Sequence, residues 1–162
     1  MTKLGFRPRH EDKVICRWES DELILDVMPT NTQILGFGNL WYGPALQNAV
    51  RVQLGPYSLR VISTPYFLAT KIEAFHGRGH GDYFASHDIE DIIAVVDGRP
   101  ELATEVRASE VELKAYLRQQ FGEMVNDSTF VESIQGHLLP DETSQERKNE
   151  VLRVLRQFLT LE

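Results

Sequence analysis

The sequence predicts an α/β fold in which strand-forming patterns fill the first 62 residues and helical periodicity takes over from residue 64. Val14 to Trp18 and Glu22 to Met28 are strand-length apolar runs joined by Glu19-Ser20-Asp21, a hairpin by length and turn chemistry. A second hairpin follows, Val50 to Leu54 and Leu59 to Ile62, with Gly55-Pro56-Tyr57 between them. Between the two, Gly36-Phe37-Gly38-Asn39 reads as a loop and Trp41 to Ala49 as holding a short helix.

Thr64 suits an N-cap and Pro65 the first helical position, so a helix is expected to run to Phe75. A glycine-rich loop, His76 to Ser86, then leads to a helix capped by Ser86 and ending at Asp97-Gly98. After Pro100 the chain reads as helical throughout. The segments are Glu101 to Arg107, Ser109 to about Val125 with Ser109 and Glu112 as a capping box, Ser128 to Gln135, and Thr143 to Leu159 with Thr143 and Glu146 as another. In the last of these, Val151, Leu152, Val154, Leu155, Phe158 and Leu159 form an apolar face suited to packing on the body, with a partner-binding face as the alternative.

The chain has 162 residues, 42% hydrophobic and 25% charged, enough for one domain with a sizeable core. No apolar run approaches the roughly 18 residues of a membrane span, and Lys3, Arg7 and Arg9 precede no apolar segment of the kind a signal peptide needs. A cytoplasmic protein without a membrane partner is expected. Cys16 is the single cysteine and reads as core packing. The net charge of -7 argues against generic nucleic-acid binding, which draws on neutralised phosphates. Residues 1 to 17 nevertheless carry a net +3, either a basic edge toward RNA or nucleotide or a solvated strand face.

Lys71 carries the sharpest signal. At about 100° per residue it falls ~40° from Phe67, between Phe67 and Phe75, so its ammonium points toward the apolar arc. An unpaired buried charge costs several kcal/mol, so Lys71 requires a carboxylate or phosphate unless it snorkels to water. On the next helix Asp88 lies at the rim of the stripe formed by Ile89, Ile92, Ile93 and Val96, with Asp91 farther out, which makes Asp88 the better-placed partner. Upstream, Asp26 is a lone acid in an apolar run: it is paired, binds metal, or sits at a solvated strand end near Pro29. His76, His80 and His87 with Asp82 and Asp88 invite a metal-site reading, against which stand Gly77, Gly79 and Gly81. The same glycines permit a loop whose free N–H groups face phosphate, helped by Arg78 and His80, or a plain solvent loop. No Ser-His-Asp, Cys-His or Walker pattern is present.

Lys71-Ile72-Glu73-Ala74-Phe75, the following Arg78, and His87-Asp88-Ile89-Glu90-Asp91-Ile92 resemble the last motif block of the AbiEii/AbiGii toxin-like nucleotidyltransferases. The resemblance runs from Leu4 to about Glu101. It implies a mixed-sheet nucleotidyltransferase-like core over residues 1–100, with residues 101–162 as a helical C-terminal region of the same unit. It further implies a nucleoside triphosphate substrate, Mg²⁺, an RNA or protein acceptor and a toxin-antitoxin setting. Lys71, Asp88 and Asp26 would be catalytic, Asp26 also as a metal carboxylate, while Arg78, His80 and Asp91 would bind substrate. The family's Gly-Ser turn and Asp-x-Asp pair have no counterpart here, and Met1 to Phe6 resembles the end of the helix that follows them. The core is thus expected to be N-terminally incomplete and the isolated chain inactive unless a further segment supplies the metal site. The alternative is a catalytically inactive remnant or partner-binding subunit. Either way a homodimer or a partner chain covering an exposed sheet edge is expected.

Overall fold

A computed structural model describes residues 1–9, 16–21, 23–31, 33, 38–79, 81–141, 143 and 146–160. The chain divides into two compact units, Met1–Asn39 and Leu40–Glu162.

In the first unit a 3-10 turn, Thr2–Leu4, closes on Gly5 with φ 82°. It is followed by β1 (Arg7–Pro8), β2 (Arg17–Ser20) and β3 (Leu23–Asp26), which form an antiparallel sheet in the order β1-β2-β3. The first hairpin is present, with its turn placed later than Glu19 to Asp21. Ser20 pairs with Leu23, and Asp21 takes φ 47°, a left-handed conformation that aspartate tolerates better than most residues. The two-residue β1 had no alternating pattern to announce it, and its proline fits an edge position. Val14, Ile15, Glu22, Gly36 and Phe37 lie outside the described residues.

The second unit contains α1 (Tyr42–Gln47), a two-stranded ribbon of β4 (Val50–Leu54) and β5 (Tyr57–Val61), and a helical body. The body comprises α2 (Thr64–Arg78), α3 (His87–Gly98), α4 (Leu102–Arg107), α5 (Val111–Asn126), α6 (Ser128–His137) and α7 (Lys148–Phe158). The described chain is therefore mixed α/β, with seven α-helices, two small antiparallel sheets and a helical C-terminal part. The ribbon turns over Gly55-Pro56 alone, so Tyr57 opens β5. Gly55 at φ 55° supplies the positive angle that a tight hairpin wants at its first central position.

The helices pack around one core that includes Leu68, Ile72, Ile89, Ile92, Leu113, Phe121, Phe130, Val151, Leu155 and Phe158. The apolar face of α7 thus packs on the body, and Phe121 meets Phe158 with ring centroids 5.2 Å apart. Two local expectations change. Ser63, extended at φ -70° and ψ 158°, takes the cap position before α2 in place of Thr64. Ser109 forms no capping box, because its hydroxyl donates to the Val106 carbonyl at 2.7 Å and α5 begins two residues later. The last helix is described from Lys148, residues 144–145 of the expected span lying outside the described residues. No described helix is long and apolar enough to cross a membrane.

Candidate functional site: a lysine and an arginine on one buried carboxylate

α2 sets Lys71 by phase. Leu68, Ala69, Ile72 and Phe75 fill the core, and Lys71 emerges at its margin with 23% of its side chain exposed and its ammonium 5.6 Å from the centroid of the Phe67 ring. Ser86 begins α3 by accepting the Ile89 N–H at 3.3 Å, which puts Asp88 in the first turn. Only 3% of Asp88 remains exposed. A carboxylate there faces the positive end of the helix dipole, yet burial makes partners obligatory.

It has two. Lys71 Nζ lies 3.2 Å from Asp88 Oδ1 and also pairs with Asp91. Arg78 donates to both carboxylate oxygens, Nε to Oδ2 at 2.9 Å and Nη2 to Oδ1 at 2.8 Å. Burial alone would raise the Asp88 carboxyl, but hydrogen bonds and charge from Arg78 and Lys71 outweigh it and hold the pKa below its ordinary value. In return the hydrogen bond to Asp88 raises Arg78. The expected Lys71–Asp88 pairing is present, and Asp91 joins it from the solvent side.

The segment after Phe75 differs from the loop expected. α2 continues through His76 and Gly77 to Arg78, which is why Arg78 reaches back to the start of α3. Gly79 then ends the helix where a side chain cannot fit: a Cβ there would stand 2.6 Å from the Phe75 carbonyl oxygen. Four of the loop's amides are engaged internally. Gly79 N–H donates to Phe75, Asp82 N–H to Gly79, and the Phe84 and Ala85 N–H groups both donate to Asp82 Oδ1 at 2.9 and 3.1 Å. These amides are therefore not free to cradle phosphate, and Asp82 acts as a staple for the turn. Tyr83 fixes the loop from the other side, stacked on Phe75 at 4.9 Å and edge-on to Phe130 at 5.4 Å, with its carbonyl bonded to His137 Nε2.

A shallow cleft of about 560 Å³ opens over this region, lined by Arg78, Gly79, Asp82, Ala85, Ser86, His87 and Asp88. Among the described residues Arg78 is the one lysine or arginine that lines it, and 71% of that side chain is exposed. His76 bonds Gln120 and His87 bonds Glu90, so these two histidines point to separate partners. Among the described residues no group of three His, Cys, Asp or Glu is placed to hold a metal ion. His80 lies outside the described residues.

Asp26 differs from the free acid that a metal role requires. Arg17, directly opposite on β2, donates to both its oxygens at 2.7 and 2.9 Å, and this lowers the Asp26 carboxyl. Nor is β3 flanked by apolar neighbours on both faces, since Leu23, Ile24 and Leu25 are 41% to 62% exposed. As arranged, with both oxygens held by Arg17, Asp26 does not fit a Mg²⁺ ligand. The cross-strand register that gives Asp26 its arginine was not readable from an isolated acid in an apolar run.

Sequence reasoning also passed over a second polar pairing beside α2. Tyr116 donates to Glu73 at 2.7 Å and packs on Trp41 at 5.0 Å, and burial with the Glu73 carboxylate raises the phenol well above its ordinary value. No protein family, curated protein or solved structure matches the chain.

Proposed function

We propose that the cluster of Lys71, Arg78 and Asp88 binds the phosphates of a nucleotide, and that the chain is a nucleotidyltransferase-related protein taking a nucleoside triphosphate. The observation that supports this is the buried Asp88 carboxylate, which holds a lysine and an arginine side by side without exhausting their donors. Arg78 commits two of its five N–H groups to Asp88, leaving its outer edge for the planar recognition of phosphate oxygens at which arginine excels. Lys71 keeps donors beyond Asp88 by exchanging the exposed Asp91 for an incoming anion. Asp88 is then a positioning residue that prevents both cations from drifting into solvent.

Transfer of the nucleotide to an RNA or protein acceptor needs metal carboxylates that a second segment or chain would supply. The isolated chain in this reading binds nucleotide without transferring it. The bidentate Arg17–Asp26 pair favours a second reading, a non-catalytic, partner-binding subunit. Photolabelling with an azido nucleoside triphosphate, together with incubation of the chain with labelled triphosphates, Mg²⁺ and total RNA, separates the outcomes. Labelling within residues 71–88 that unlabelled triphosphate competes away is the expected result, with no incorporation into RNA or protein. Absence of competed labelling overturns the nucleotide reading. Incorporation abolished by Lys71→Ala would instead make the chain a complete enzyme.

A further inference from the structure

The ribbon β4–β5 has a division of faces with consequences for assembly. Val50, Val52 and Leu54 lie on one face opposite Val61, Leu59 and Tyr57, and all six side chains are 42% to 68% exposed. Monomeric surfaces seldom leave so continuous an apolar row uncovered. The other face sets Arg51 directly opposite Arg60, with Gln53 opposite Ser58. Like charges at directly opposed positions are unfavourable, and residues 50–61 contain no acid that could offset them. Arg60 turns away to donate to the Leu46 carbonyl at 2.5 Å. Arg51 has no hydrogen-bond or ion-pair partner among the described residues and stands at the second position of β4, an edge strand.

An occupant of this edge must be an extended strand with apolar residues on one face and an acid on the other. β3 of the same sequence has that character. It is itself an edge strand, Leu23 and Leu25 project to one face, and Ile24 and Asp26 project to the other. Residues 16–27 carry Glu19, Asp21, Glu22 and Asp26 against Arg17, with Glu19 paired to Arg7 and Arg9 and Asp26 to Arg17, whereas residues 50–61 carry two arginines and no acid. Of the two ways to lay β3 beside β4, one extends the Val50-Val52-Leu54 row with Leu23 and Leu25 and places Asp26 on the arginine face. The reverse puts leucine beside arginine and the acid beside valine.

We propose that the chain self-associates by β-augmentation, the exposed edge β3 of one copy pairing with the exposed edge β4 of another. Main-chain hydrogen bonds supply the pairing, the aliphatic row supplies burial, and Asp26, already held by Arg17 from β2, faces Arg51 from the other side. This inference is independent of nucleotide binding. Sedimentation of the full chain over a wide concentration range tests it with three variants: Val52→Lys on the ribbon, Leu25→Lys on β3 and Arg51→Glu at the unpartnered cation. The wild type is expected to self-associate and each lysine variant to be monomeric. An equimolar mixture of the two lysine variants should recover association, because each retains the strand that the other lacks. Arg51→Glu, a surface change that leaves folding intact, should weaken association by about tenfold or more. A wild type that stays monomeric at every concentration overturns the proposal. So does association that survives Leu25→Lys, which would mean that the ribbon pairs with something other than β3.

Discussion

Asp88 accepts two hydrogen bonds from Arg78, at 2.9 and 2.8 Å, although only 3% of the aspartate is exposed and most of the arginine lies in water. The pair joins the end of α2 to the start of α3 and explains why Lys71 does not stand alone. It also alters what the lysine is worth. An isolated lysine-carboxylate pair would leave a bare buried charge on truncation, but here Arg78 remains. Lys71→Ala should cost about 1 kcal/mol, whereas Asp88→Asn, which strips charge from two cations at once, should cost about 2 kcal/mol. Urea denaturation of both variants checks the order, and a larger loss for Lys71→Ala would contradict it.

The same carboxyl predicts a pH dependence. Its pKa is lower in the folded chain than its ordinary value of 3.8, so its stabilising contribution is fully present above that value. The contribution is lost as pH falls through the lower folded-state pKa. The stability difference between wild type and Asp88→Asn should therefore be flat from neutral pH to about pH 5 and shrink in more acidic solution. Growth of the difference on acidification would show that the sign is wrong.

Gly79 is predicted to resist substitution despite its ordinary backbone angles. A Cβ there meets the Phe75 ring and carbonyl, so Gly79→Ala must displace the end of α2 and with it Arg78. A loss of about 1–3 kcal/mol is expected, the range for forced overpacking. Gly77→Ala serves as the control, because a Cβ at that position meets nothing within 4 Å. Equal melting temperatures for the two variants would refute the steric argument.

Caps supply a further comparison. Ser86 accepts the Ile89 amide and Ser109 does not cap α5, so Ser86→Ala should cost about 1 kcal/mol and Ser109→Ala less. Thermal melts of the two variants measure the difference.

The pattern of residues carried the helical part of the fold further than the strands. Lys71, Asp88 and the stripes around them were legible because a 3.6-residue period fixes direction within one element. Arg78 was expected on a loop, since three glycines in five residues suggest a break. Packing of Phe75 on Tyr83 instead lets α2 run through Gly77, and tertiary contact overrides local propensity. Asp26 shows the opposite limit. Its identity as a lone acid was plain, but its partner is Arg17, nine residues away, through a strand register that depends on where the turn after Ser20 falls.

In the proposed function, Arg78 and Lys71, held by Asp88, receive the phosphates of a nucleotide. Calorimetric titration of the wild-type chain with a non-hydrolysable nucleoside triphosphate, repeated on Arg78→Ala and Lys71→Ala, tests it most directly. Saturable binding by the wild type is predicted, competed by inorganic triphosphate and weakened by about tenfold or more in each variant while both remain folded. No binding by the wild type, or an affinity unchanged when Arg78 is removed, would contradict the account.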